Sequence, residues 1–191
     1  MNLKQPLILA SASPRRRELL STLDLDFEVK VPDVDESLRA GESPKEYVER
    51  LAKMKAAAVS ADGSIVIAAD TVVVCDDVIL GKPEDAEEAK AMLRSLSGRS
   101  HKVITGVCVQ NTEGCVVFSI GTVVTFRALD EEEIGMYVKS GEPLDKAGAY
   151  AIQGKAASMV TSINGSYTNV VGLPLSAIYK TLIFVSLNCQ V

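Results

Sequence analysis

Five consecutive apolar residues, Ile65-Val66-Ile67-Ala68-Ala69, restrict the fold of this chain more than any other feature. A strand with one face in water alternates polar and apolar side chains. A run with no polar position predicts a strand covered on both faces, as in sheets flanked by helices. The run ends on Asp70-Thr71, so a carboxylate is expected where the apolar strand stops. In open α/β sheets that is the edge where ligands bind.

The rest of the chain interleaves strand and helix signals around this run. Leu7 to Ala10 reads as a short strand, with Ser13 as N-cap and Pro14 as first residue of a helix reaching about Leu23. Phe27 to Val31 alternates like a half-exposed strand, and the acidic loop Asp33 to Ser37 follows. Ser43-Pro44-Lys45-Glu46 matches a capping box for a second helix reaching about Ala61. Val72 to Val74 and Val78 to Leu80 are predicted to form a tight hairpin at Asp76-Asp77. A third helix is expected from just after Pro83 to near Gly98, with Ala86, Ala89, Leu93 and Leu96 as its apolar stripe. Val103–Val109 and Val116–Phe126 read as paired strands, and Asp130 caps a short helix. Asn164-Gly165 carries a type I′ hairpin signal between Met159–Ile163 and a following strand. Pro174 opens the last helix. The class is therefore α/β with a mixed sheet.

At 191 residues and 47% apolar content, the chain reads as one domain over residues 1–191, with no linker or low-complexity stretch. A net charge of −5 argues against nucleic acid or an anionic membrane as partner. No apolar run approaches the roughly 20 residues of a membrane span, and the N-terminus lacks a signal-peptide profile. A cytoplasmic protein is expected. Cys75, Cys108, Cys115 and Cys189 form no CxxC pair, so reduced, partly buried thiols are the expectation. Cys108 and Cys115 are placed to face each other across a hairpin. His101 is the only histidine and reads as structural.

Three features carry chemistry. The helix after Ser13 opens with Arg15-Arg16-Arg17, although a helix N-terminus favours acids. Free amides, the helix dipole and arginine forks together suit a phosphate; the alternative is a solvated basic turn. Lys55 falls within the apolar stripe Val48, Leu51, Ala52, Ala58 and Val59 of the second helix, while Lys53 points away. Such a lysine either snorkels to water or is held inward for an anion. Asp70, with Asp35 or Glu36 from the acidic loop, offers two carboxylates of the kind that share Mg²⁺ with substrate phosphates. Lys82, before the third helix, is a further phosphate contact, although no Walker loop is present.

These residues sit in longer motifs. Leu9 to Arg16, Ala69-Asp70-Thr71, Gly81-Lys82-Pro83, Leu96-Ser97-Gly98-Arg99, Lys146 to Gly154 and Val171-Gly172-Leu173-Pro174 together resemble the Maf family of nucleoside triphosphate pyrophosphatases. The resemblance implies the inosine-triphosphate-pyrophosphatase-like α/β fold, an elongated mixed sheet with flanking helices and a cleft between two lobes. It implies cleavage of a nucleoside triphosphate to monophosphate and pyrophosphate with Mg²⁺ or Mn²⁺, and a homodimer. The family's catalytic base corresponds to Asp70, and further active-site positions fall on Ser11, Glu36, Lys55 and Lys82, with Glu36 and Asp70 as metal ligands. Arg15, Thr71 and Gln153 match the branch acting on dTTP and UTP; a glutamine offers both donor and acceptor to a pyrimidine edge. Ala151 stands where many relatives have glycine. A nucleotide-binding regulator of cell division or septum formation, without turnover, is the alternative reading.

Overall fold

The computed structural model describes residues 3–59 and 63–188. In chain order the elements are β1 (Leu7–Ala10), α1 (Pro14–Ser21), β2 (Glu28–Lys30), α2 (Pro44–Ala58), β3 (Ile65–Cys75), β4 (Val78–Leu80), α3 (Ala86–Leu96), β5 (Ser100–Asn111) and β6 (Gly114–Phe126). There follow α4 (Glu131–Lys139), three short 3₁₀ turns, β7 (Val160–Asn164), α5 (Tyr167–Val171) and α6 (Leu175–Asn188). The sheet is mixed, with strand order β2-β1-β3-β5-β6-β7 and β4 added on β3. β1 lies parallel to both β2 and β3, whereas β4 and β7 are antiparallel to β3 and β6. Among the described residues no helix is long and apolar enough to cross a membrane.

The helices begin where side chains satisfy their first amides. Ser13 Oγ accepts from Arg16 N at 3.4 Å, and Ser43 and Glu46 form a reciprocal capping box. Asp85 and Asp130 cap α3 and α4 in the same way. The expected end of α2 near Ala61 lies outside the described residues.

Two compact units divide the chain: Met1–Asp70 with Thr105–Ile120 and Gly172–Val191, and Thr71–Ile104 with Gly121–Val171. The core of the first contains Ile8, Ala10, Ala52, Ala56, Val66, Ala68 and Cys108. Its many alanines let α2 lie close to the sheet, and Gly106 of β5 sets that distance. A Cβ there would sit 2.3 Å from the carbonyl oxygen of Val48, well inside contact distance. The buried stripe of α2 is Val48, Leu51, Ala52, Lys55 and Ala56, so Ala56 takes the place expected for Ala58, which is exposed.

In the second unit α3 buries Ala89, Met92, Leu93 and Leu96; Met92 replaces the exposed Ala86 in the expected stripe. His101, Phe126 and Tyr150 pack edge to face with centroids 4.9–5.3 Å apart.

Two sequence expectations fail. β3 is one strand from Ile65 to Cys75, so Asp70 and Thr71 lie inside it and do not end it. The Asn164-Gly165 hairpin does not form either: β7 leads into α5. The reason is tertiary. Gly165 packs on Thr122, whose Oγ1 accepts from Ser166 N at 3.1 Å and from buried Asn169 Nδ2 at 2.9 Å. Asn169 Nδ2 also reaches Val103 O at 3.0 Å, and Asn169 N donates to Ser166 Oγ at 3.2 Å. These bonds favour a helical turn over a returning strand.

Candidate active site

The first unit carries a buried charge cluster centred on Lys55. From its place in the stripe of α2, Lys55 Nζ reaches Asp70 Oδ1 at 2.6 Å and Glu36 Oε1 at 2.7 Å. The Lys55 and Asp70 side chains are only 9% and 11% exposed, whereas Glu36 is 53% exposed. An ion withdrawn from water loses several kcal/mol of hydration, and it persists only where partners replace that water. Lys55 thus does not snorkel to water; it is held inward between two carboxylates. Asp70 lies just past the last β1–β3 pair, Ala10 with Ala68, so the strand beside it has ended.

Arg16 completes the cluster. Its Nη1 donates to Ala69 O at 2.7 Å and its Nε to Gly172 O at 2.8 Å. The planar fork ties α1, the residue before Asp70 and the start of the C-terminal segment together. Burial lowers the Arg16 pKa from its ordinary value; Asp70 opposes that fall, Arg15 adds to it, and Glu36 opposes it. Starting so high, the guanidinium stays charged at neutral pH. Two carboxylates therefore face two cations.

The turn before α1 is equally fixed. Ser11 is buried, its N–H donates to Lys30 O at 3.0 Å, and its Oγ accepts from Ser13 N at 3.1 Å. Arg15 is half-buried at the first turn, and Arg17 is exposed. No acid stands in that turn.

The loop carrying Glu36 is anchored to α2. Tyr47 Oη donates to Glu36 O at 2.7 Å, and Arg50 Nη2 donates to Ser37 O at 3.0 Å. Arg50 is itself clamped by both oxygens of Glu42 and stacks over Tyr47. Burial, then Asp70 and Glu36, raise the Tyr47 pKa, so the phenol keeps its proton and donates. Asp35 caps its own loop through Ser37 N and takes no part in the cluster.

The remaining sequence-identified residues belong to the second unit. Thr71 is half-buried in β3. Lys82 is exposed, and the carbonyl of Gly81 before it accepts from Gly148 N at 2.9 Å. Gly148 has φ of +67° and packs on Val73, where a Cβ would sit 2.8 Å from the valine side chain. Glycine is therefore required on both counts. Gln153 is exposed in a turn closed by Gly154 N donating to Ala151 O at 3.0 Å. His101 is buried against Tyr150 Oη at 2.8 Å through Nε2, and burial lowers its pKa to about 4. It is neutral scaffold.

Arg16, Tyr47 and Arg50 are the residues that sequence reasoning did not place. Arg16 was visible as one of three arginines, but its carbonyl partners lie 53 and 156 residues away. Tyr47 and Arg50 share a helix face by their i, i+3 spacing.

The family model described as Maf-like protein matches residues 6–184. The chain belongs to the Maf family. Among Maf relatives, a dTTP/UTP pyrophosphatase of Symbiobacterium thermophilum is 56% identical over 90% of this chain and 89% of its own length. One of the same name from Myxococcus xanthus is 56% identical over 92% of this chain and 90% of its own length. The solved structure of the Staphylococcus aureus Ham1 protein aligns with a TM-score of 0.53 at 15% identity, covering 95% of this chain and 98% of that one. At that identity the likeness is one of fold. Of the Lys55 cluster, Arg16 and Asp70 lie in the stretches that carry the sequence resemblance, whereas Glu36 and Lys55 come from the loop and helix between them.

Proposed function

We propose that this chain hydrolyses dTTP and UTP to the nucleoside monophosphate and pyrophosphate. The observation that carries the reading is Lys55, an ammonium buried between Asp70 and Glu36, two carboxylates that also act on the Arg16 guanidinium. The names and identities of the Maf relatives support the substrate class. A cytoplasmic location and a homodimer belong to the same reading.

Asp70 and Glu36 suit a divalent cation. Both present oxygen donors, and one oxygen of each converges on the same ammonium, so the carboxylates lie close together. The described residues contain no group of three or more His, Cys, Asp or Glu placed to hold a metal. That donor set matches Mg²⁺ or Mn²⁺, which Asp70 and Glu36 would hold along with water and substrate oxygens. When bound, the ion supplies charge neutralisation on the phosphates.

The chain's own residues do the rest. Asp70 accepts a proton from the attacking water, whose oxygen joins the α-phosphorus as the α–β anhydride bond breaks. The electron pair of that bond leaves on pyrophosphate. Lys55 fixes the direction of Asp70 Oδ1 and Glu36 Oε1. Ser11, Arg15 and Lys82 bind the triphosphate, and catalysis is positioning plus electrostatics. Thr71 and Gln153 set base preference.

The test is a panel of natural and modified nucleoside triphosphates with Mg²⁺, scored separately for pyrophosphate and orthophosphate, with and without chelator. Pyrophosphate from dTTP and UTP, abolished by chelation, is the expected result. Orthophosphate as product, or tight binding of dTTP with no product, would sink it; the second outcome would favour the regulator.

A further inference from the structure

The turn that presents Gln153 is gripped from two sides by one carboxylate and one phenol. Ile152 is buried in this turn, and Gln153 is exposed. On one side Ala151 N donates to Tyr137 Oη at 3.2 Å. On the other, Lys155 N donates to both Glu142 oxygens, at 3.1 and 3.3 Å. Tyr137 Oη in turn donates to Glu142 Oε1 at 3.0 Å, which closes the bracket two residues either side of Gln153.

Gly154 shows how closely the carboxylate is seated. A Cβ at this position would lie 2.0 Å from Glu142 Oε1, so any side chain here would push the carboxylate from its place. Glu142 spends its acceptors on this turn and on Tyr137. No cation pairs with it among the described residues. Charged acceptors bind amides more strongly than neutral ones, so the turn is held by the stronger kind of bond.

We propose that Glu142 is a positioning residue for base selection, acting through Tyr137 and Lys155 N to hold the Gln153 turn. The inference rests on the reading that Gln153 contacts the base. A glutamine separates thymine or uracil from cytosine only if its donor and acceptor are held in register with the base edge, because cytosine presents the reversed pattern. Loosening the turn lets the amide satisfy either base.

The experiment measures kcat and KM of the full chain for dTTP and dCTP, with thermal melting as a control for folding. Glu142→Ala is expected to lower the dTTP-to-dCTP ratio of kcat/KM by about tenfold, mostly through the KM for dTTP. Glu142→Gln, which keeps an acceptor for Lys155 N, recovers part of it. Gln153→Ala lowers the ratio as far, and adding Glu142→Ala to it lowers the ratio no further. A ratio unchanged by Glu142→Ala while Gln153→Ala collapses it overturns the positioning role alone. So does a further fall in the double variant. A ratio that survives Gln153→Ala removes the base-contact reading and this inference together. Should Glu142→Ala not fold, Tyr137→Phe deletes a single oxygen from the bracket; an unchanged ratio there overturns the proposal equally.

Discussion

Lys55 in the first unit and His101 in the second are both buried and ionisable, and they meet burial in opposite ways. His101 loses its charge: desolvation lowers its pKa to about 4, and a phenol and a phenyl ring surround it. Lys55 sits between two carboxylates, with a buried guanidinium close by. The neutral solution is the less demanding, and scaffold adopts it. Keeping the Lys55–Asp70 pair inside costs desolvation at both members, so its persistence points to a ligand that needs those charges.

Lys55→Met breaks that contrast most severely. It removes the ammonium and leaves Asp70 and Glu36 facing each other, so kcat should fall by about 10² or more. Stability should fall by about 1–3 kcal/mol, a figure reduced because Glu36 is half-exposed. Pyrophosphate release and urea unfolding give the two numbers. Unchanged kcat would return Lys55 to the status of a structural lysine.

Gly106→Ala asks whether the cluster depends on how closely α2 lies on the sheet. The added methyl meets the Val48 carbonyl, so α2 must shift or the core must strain, at about 1–3 kcal/mol. Activity should fall together with melting temperature, because Lys55 rides on α2. A variant that melts lower with full activity would show that the cluster tolerates movement of the helix.

His101→Gln sharpens the other side. A histidine with a lowered folded pKa binds fewer protons folded than unfolded between about pH 4 and 6.5. Stability is thus full above 6.5 and drains as pH falls toward 4, by at most about 1.4 kcal/mol per pH unit. The variant should show a flatter stability profile over that window, with kcat at pH 8 unchanged. An identical slope would mean that His101 is not the group responsible.

Arg17→Ala is the mildest. Arg17 is exposed and ends no bond in the cluster, so its loss should change stability by no more than about 0.5 kcal/mol and leave kcat/KM within about twofold. A tenfold rise in KM for dTTP would instead make Arg17 a phosphate contact.

Much of this site was legible as anomaly. Arginines at a helix start and a lysine in an apolar stripe each broke a local rule, and local rules are visible in sequence. What stayed hidden was long-range. The partners of Arg16 are backbone carbonyls, which carry no sequence signature at all. Gly106 matters for what lies opposite it on α2, and nothing in β5 announces that. Asn164-Gly165 misled for the same reason: the turn signal is local, and the bonds of Thr122 and Asn169 that override it are not. Asp70 was singled out on an incorrect premise. β3 does not end there; its β1 neighbour does.

The central claim is that the buried carboxylate of Asp70 does the chemistry and Lys55 holds it in place. Asp70→Asn keeps the shape and removes the charge, so pyrophosphate release from dTTP with saturating Mg²⁺ measures that claim directly. The account predicts a fall in kcat of about 10²–10⁴ with the protein still folded by circular dichroism. Wild-type turnover by the folded variant would contradict it.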